Sequence, residues 1–396
     1  MHQVIDFFET FRSKNHFLLI MSMIYFLLSL ARGAFFIYIP ELLQSFVGSI
    51  ALVGFIFSIP WIIDLFADFF IGYYTDRLNK KILILIAIAL FIITVLLFYF
   101  LPSFTALIIA IIIYGIAADM YYIPSLSFIL DKAPKKRGAT YTGVYFSFEA
   151  LGYSLGPIIG GVILASMFPE RVFLFAAAVF VVCFLLTLFF VTDGLPKKSR
   201  KIISFKNEFK AFKKLEKSAF GVIFFTFVYG FWVSFIWMAM PLYVIFLNLD
   251  PIYKGLILSA LIFPQFLTRG VWGVIEDSHG KLKTLGVGLT IGTVAMLFFS
   301  FSSTPFSLIL SAIFIAIGFA SIEPAIGGIL TKVTDKENTG EAASLKCMTA
   351  NFAAIIGPIL GGFLITFLNF RLSFLILALI IFFGSLIALR FMKKLP

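Results

Sequence analysis

What most constrains this chain is a recurring apolar run: twelve times the sequence goes about 20 residues with few charges, the length a helix needs to cross a bilayer. The runs lie near 17–39, 46–72, 82–100, 104–130, 138–166, 171–192, 218–247, 255–275, 283–301, 305–330, 340–368 and 371–391. Within lipid a backbone has no water to bond, so each run is expected to be a helix that satisfies its own N–H and C=O groups. The implied fold class is an all-α integral membrane protein with twelve transmembrane helices. A composition of 61% hydrophobic residues, 53 of them Phe, and only 13% charged residues agrees with a bilayer rather than a soluble core.

The opening stretch MHQVIDFFETFRSKNH mixes acids with bases, unlike a cleaved signal sequence, so the first span is expected to stay. Cys183 and Cys347 both fall in spans and read as small packing residues, not as a disulfide framework. The net charge of +11 raises the possibility of a nucleic-acid partner, but its placement answers that. With both termini cytoplasmic, 25 of 31 Lys and Arg fall on inner segments, three in outer loops and three within spans. That asymmetry sets orientation and points to anionic lipid contact, not nucleic acid.

The chain is also duplicated. GYSLGPIIGG at 152–161 recurs as AAIIGPILGG near 353–362, placing Gly156-Pro157 and Gly357-Pro358 201 positions apart. The same offset takes Pro40 to Pro241, Gly72 to Gly273 and Asp76 to Asp277, residue types scarce enough here to count. Two units of six spans, each the same way up, give repeats related by an axis along the membrane normal. The expected domains are 1–194, a polar linker at 195–217, and 218–396. Within the linker Ile202, Phe205, Phe209, Phe212 and Leu215 recur at helical spacing opposite lysines. That describes an amphipathic helix on the inner surface, a tether between the bundles or a lipid-sensing gate.

Two six-helix bundles joined by a basic middle loop resemble the major facilitator superfamily (MFS) of secondary transporters, over essentially the whole chain. The most specific piece is GYYTDRLNKK, from Gly72 to Lys81, which is similar to that family's loop signature GxxxDRxGRR, with Asn79 in place of the glycine. The resemblance implies gating roles for Asp76 and Arg77. Physically, an aspartate at a span's inner end can face the positive N-terminus of a neighbouring helix, and the bases after it cover headgroups. GxxxGPxxGG in span 5 resembles a signature of the exporter branches, drug/proton antiporters among them. Gly152, Gly156 and Gly160 share a helix face that admits close approach, and Pro157 permits a bend. With Gly357, Pro358 and Gly361 in span 11, that face is expected at a sliding junction between the halves.

Eight ionisable residues fall within spans: Arg32, Asp64, Asp68, Asp119, Glu149, Arg269, Glu323 and Lys346. Each costs at least ~2.5 kcal/mol at mid-bilayer and so must pair, face water or act. The resemblance would line a central cavity with spans 1, 4, 7 and 10, which makes Arg32, Asp119, Tyr229, Trp232 and Glu323 substrate-cavity candidates. An ion pair between Arg32 and Asp119 is possible, and Glu323 sits beside helix-breaking Pro324. Asp119 and Glu323, with Glu149 third, are the expected proton-coupling carboxyls. Asp64 and Asp68 lie one turn apart, and Arg269 is the repeat equivalent of Asp68, suggesting a gating salt bridge between bundles. Lys346 reads as a snorkelling structural lysine.

No enzyme is expected: His2, His16 and His279 lie at ends or in a loop, and the chain has no HExxH, CxxC pair or nucleotide loop, while its GYSLG at 152–156 lies within an apolar span and not at a strand-to-helix elbow. Nor is a metal or cofactor. The leading reading is an antiporter in the plasma membrane, multi-pass and monomeric, exchanging protons for a small amphipathic compound by alternating access, as in multidrug efflux. Its alternative is an importer or facilitator of an anionic solute with Arg32 as ligand. One departure bears on coupling: where drug/proton antiporters carry a span-4 arginine four residues before a glycine, this chain has Ile111 before Gly115.

Overall fold

The computed structural model describes residues 16–101, 103–134, 137–166, 168–191, 217–322, 324–326 and 339–392. The first span is interrupted. Helix α1 (His16–Phe36) ends at a turn over Ile37 and Tyr38, and α2 (Ile39–Val47) restarts with a proline, Pro40, in its first turn. Gly48 then closes α2 with φ 67°, a left-handed conformation that glycine adopts without a Cβ penalty. The second span is broken in the same way, into α3 (Ile50–Phe57) and α4 (Ile59–Thr75), with Pro60 just after the break.

The remaining helices are α5 (Lys80–Phe100), α6 (Phe104–Lys132), α7 (Gly138–Leu164), α8 (Arg171–Phe190), α9 (Lys217–Phe246), α10 (Ile252–His279), α11 (Lys281–Phe301), α12 (Pro305–Phe319), α13 (Thr339–Leu368) and α14 (Phe370–Met392). Their starts are written in the local sequence. Asn79, Ser103 and Thr304 each cap a helix by accepting from a backbone N–H two or three residues on, at 3.0, 3.3 and 3.4 Å. Among the described residues eleven helices are long and apolar enough to cross a membrane; the pair Ile252–Thr268 and Gly270–Glu276, bent by 47°, makes a twelfth if taken as one span. The twelve-helix, all-α architecture read from the apolar runs is the one found.

Packing divides the chain into two compact units, Met1–Phe36 with Ile63–Lys201, and Ile37–Ile62 with Ile202–Pro396. They differ from the sequence halves in one stretch, Ile37–Ile62, which belongs to the second unit. There Lys254 of α10, 2% exposed, is ion-paired with Glu41 of α2. Gly54 of α3 lies so near α13 that a Cβ would come within 2.1 Å of the Pro358 carbonyl oxygen. The duplication is legible inside each core. Phe98 and Phe173 pair at 5.2 Å in the first unit, and the residues 201 positions on, Phe299 and Phe374, pair at 5.2 Å in the second.

One expectation needs correction. The glycine face of α7 does not lie between the halves; it seats α1 within the first unit. A Cβ on Gly152, Gly156 or Gly160 would stand 2.4, 2.3 or 2.1 Å from the carbonyl oxygens of Phe26, Leu30 or Ala34. Side-chain-free positions every four residues let backbone meet backbone, and α1 answers with its own Gly33 against Pro157. In the second copy Gly357 and Gly361 receive α9 at Phe231, Ser234 and Phe235, while Pro358 and Gly362 meet Gly54 and Ile50 of α3, a helix from the first sequence half.

The linker at 195–216 and the carboxylate Glu323 lie outside the described residues, as do the side chains of Arg269 and Cys347. Cys183 is a buried free thiol whose Sγ lies 3.7 Å from the Ile24 carbonyl oxygen, the packing role its sequence position suggested.

Candidate functional site

The close seat of α1 on α7 determines where the polar side chains of the first unit can go. Tyr25 and Arg32, two turns apart on α1, meet Glu149 and Tyr153, one turn apart on α7. The Tyr25 hydroxyl donates to Oε1 of Glu149. Tyr25 is itself stacked on Tyr145 at 4.5 Å and tilted against Tyr121 at 5.3 Å, and Tyr145 donates to Ser125 Oγ at 2.7 Å. Glu149 is therefore an acceptor held at the edge of an aromatic stack. A carboxylate in lipid needs such a donor to remain charged.

Arg32 sits one level along the same groove. Its Nε donates to the Tyr114 hydroxyl at 2.9 Å. Its guanidinium lies over three rings, 5.4 Å from Phe91, 5.3 Å from Tyr114 and 5.4 Å from Tyr153. The quadrupoles of those rings stabilise the cation without neutralising it. The partner found for Arg32 is thus Tyr114, one turn from Asp119 on α6, rather than Asp119 itself.

Asp119 instead faces α4. Its carboxyl and that of Asp64 lie near enough to interact directly, and Asp68 and Arg32 act on both electrostatically. Asp119 is 8% exposed. Oδ1 of Asp64 and Oδ2 of Asp119 are buried with no hydrogen-bond partner among the described residues. Ionised carboxylates only accept, so a bond between two of them requires a proton on one. The pair is the acid site of this unit, and it joins one residue expected to carry protons to one expected to gate.

At the inner end of α4 the loop after Thr75 keeps the features of its motif. Asp76 is half-buried, and the Arg77 guanidinium lies 3.4 Å from the centre of the Tyr73 ring. Lys80, only 2% exposed, bonds Asp131 at 2.6 Å and ties the start of α5 to the end of α6. In the second unit Tyr229 donates to Gln265 Oε1 at 2.7 Å, and Gln265 Nε2 returns to the Leu261 carbonyl at 2.7 Å. Trp232 is buried edge-on against Phe319 at 5.5 Å, a packing position. Lys346 is half-buried.

The structure therefore brings Arg32, Asp64, Asp68, Asp119 and Glu149 into one cluster within the first unit. Around it stand three tyrosines not singled out from sequence, Tyr25, Tyr114 and Tyr153. A signal for the tyrosines was present, since Tyr25 with Arg32 and Glu149 with Tyr153 share helix faces at spacings of seven and four. Among the described residues no group of three or more His, Cys, Asp and Glu is arranged to hold a metal ion.

Known proteins support the fold and its class. A family model described as Major Facilitator Superfamily matches residues 21–251 and 222–396. A multi-drug resistance efflux pump PmrA homolog of Lactococcus lactis is 25% identical over 63% of this chain and 63% of its own length. A multidrug resistance protein MdtG of Salmonella paratyphi C is 24% identical over 86% of this chain and 85% of its own. Among solved structures, a bacterial homolog of the human lysosomal transporter Spinster, inward-facing and unoccupied, shares a TM-score of 0.77 at 15% identity, covering 96% of this chain and 98% of that one. The nucleoside transporter NupG shares 0.77 at 17% identity, covering 95% and 99%. At such identities the structural likenesses speak for the fold alone.

Proposed function

The chain belongs to the Major Facilitator Superfamily, and from that premise we propose that it is a proton-coupled exporter of small amphipathic compounds, working by alternating access. The observation that carries this reading is the Asp64–Asp119 pair. Two buried carboxyls near enough to interact directly hold a proton between them, because two adjacent negative charges in a place poor in water are costly. When water or substrate reaches the pair, that proton can leave, and its return resets the site. Glu149 is engaged separately, by the hydrogen bond from Tyr25. Named efflux relatives at 24–25% identity support the direction of transport and an amphipathic substrate class. The excess of basic residues on inner segments supports a multi-pass protein of the plasma membrane with cytoplasmic termini.

The alternative, uptake or facilitation of an anion on Arg32, has one observation in its favour: a guanidinium with a single hydrogen bond among the described residues. Against it stands the company of Asp64, Asp68, Asp119 and Glu149, which would repel an anion arriving at Arg32.

Both readings are tested in proteoliposomes carrying the full-length protein. An imposed proton gradient is expected to drive ethidium transport in the wild type and to fail in Asp119→Asn and Asp64→Asn. If the gradient drives ethidium equally in both variants, the pair is not the coupling site. Gradient-independent uptake of fluorescein that disappears in Arg32→Ala would establish the anion reading instead.

A further inference from the structure

In the second unit three of the four positions that answer to the acid cluster are apolar: Val233 stands for Arg32, Ala320 for Asp119 and Ala350 for Glu149. The fourth, Gln265 in place of Asp64, stays polar. A side-chain amide inside a membrane span is costly unless its donors and acceptors are met, so its partners say what it is for.

An amide has two N–H donors and an oxygen that accepts. The Tyr229 hydroxyl donates to Oε1 of Gln265 at 2.7 Å, and Nε2 donates one N–H to the Leu261 carbonyl at 2.7 Å. These bonds fix the direction of the amide, because a flip would set its oxygen against the Leu261 carbonyl. The second N–H has no partner among the described residues, on a side chain only 8% exposed. An unmet donor at that depth is a standing cost that an acceptor from outside the chain removes.

Helix packing does not occupy this place. Gly230 and Ser234 turn one side of α9 into α13, where a Cβ on Gly230 would lie 3.1 Å from that of Ala353. Tyr229 lies on another side, in line with Val233 and Trp237 at spacings of four, and all three are half-buried. Next to Gln265, Pro264 interrupts the hydrogen-bond ladder of α10, which is bent by 47° between Ile252–Thr268 and Gly270–Glu276. The amide thus stands one turn before a bend and beside a partly open aromatic strip.

We propose that Gln265, oriented by Tyr229, determines specificity: its second N–H takes an uncharged acceptor of the substrate, a carbonyl or ether oxygen. The strip of Tyr229, Val233 and Trp237 takes the apolar part beside that oxygen. This deepens the exporter reading above and rests on it. An amide carries no net charge, so an anion would lose its water here without compensation, and a cation would meet the N–H with the wrong polarity. The class that fits is a neutral amphipath with an oxygen acceptor. Tyr229 is the positioning residue, since without its O–H the amide is held at one end only.

Binding to the purified full-length protein in lipid nanodiscs, measured by calorimetry, tests this with two probes. Chloramphenicol is uncharged and carries an amide carbonyl; tetraphenylphosphonium is an apolar cation with no hydrogen-bonding atom. The wild type is expected to bind both. Gln265→Leu should weaken chloramphenicol binding about tenfold, the scale of one buried hydrogen bond, and leave tetraphenylphosphonium within about twofold. Tyr229→Phe should weaken chloramphenicol by about threefold, again without affecting the cation. If Gln265→Leu weakens both probes alike, the amide serves only the bend of α10 and the specificity role is overturned. It is overturned equally if that variant affects neither probe. Wild-type binding of tetraphenylphosphonium without chloramphenicol also overturns it, while the exporter reading stands. Failure of the exporter reading shows separately, as absent gradient-driven ethidium transport in the wild type, and takes the specificity role with it.

Discussion

The two compact units descend from one duplicated sequence, yet they use their interiors differently. Position by position at the 201-residue offset, the packing residues are kept: Phe98 and Phe173 answer to Phe299 and Phe374, and Gly156, Pro157 and Gly160 to Gly357, Pro358 and Gly361. Four charged residues of the cluster are not. Arg32 answers to Val233, Asp119 to Ala320 and Glu149 to Ala350. Asp64 answers to Gln265, an amide bonded by Tyr229 and by its own helix, whereas Asp64 keeps an oxygen unpartnered. Duplication thus preserved the contacts that make each bundle stable, while the costly polar chemistry of these positions is retained in one copy.

The sharpest way to break that comparison is to exchange chemistry between equivalent positions. Asp119→Asn is expected to lower gradient-driven ethidium transport by at least about a hundredfold, the usual scale for losing a proton-transferring group. Its neighbour in the pair, tested as Asp64→Asn, should behave alike, whereas Gln265→Leu in the second unit should leave the pH dependence of transport in place. Loss of that dependence in Gln265→Leu would mean that both units carry the coupling.

Next in size is the glycine seat. Gly160→Ala would press a methyl group onto the Ala34 carbonyl, which is backbone and cannot yield, while its repeat equivalent Gly361→Ala would meet side chains, the Phe235 ring at 2.1 Å and Met238 Cε at 3.4 Å. Losses of about 3 kcal/mol and about 1 kcal/mol are expected, read as thermal shifts of the detergent-purified protein. Equal losses would show that the two copies are seated alike.

The smallest effects concern the ion pairs. Among the described residues each unit buries one lysine to 2% exposure, Lys80 with Asp131 in the first and Lys254 with Glu41 in the second. Removing either acid strands a buried ammonium, but Asp131 and Glu41 are themselves 29% and 36% exposed, so water offsets part of the loss. Asp131→Asn should cost about 2 kcal/mol and Glu41→Gln about 1 kcal/mol by the same thermal measurement.

Most of the scaffold was legible in the sequence because the signals that specify it are local. A run of apolar residues measures its own length against the bilayer, a glycine every fourth residue marks one helix face, and a repeat offset needs only counting. The cluster was half legible: Arg32, Asp64, Asp119 and Glu149 announce themselves by their cost in lipid. Their pairing did not. Asp119 was matched to Arg32 and Asp64 to a gate, and Tyr25, Tyr114 and Tyr153 passed unremarked among the aromatics of an aromatic-rich chain. The glycine face of α7 was recognised as a close contact but assigned to the wrong neighbour.

By itself, then, the sequence determined that this chain is a duplicated bundle of membrane helices with a small set of charges it must accommodate. Hydropathy and periodicity act along the chain, and they settle where helices run and which residues share a face. Only the tertiary structure decided that α1 lies on the glycines of α7, that Asp64 turns to Asp119, and that Arg32 rests on rings between them. Those choices depend on which faces meet across tens of residues, where the energy of an interaction belongs to the pair of helices and to neither strip of sequence alone.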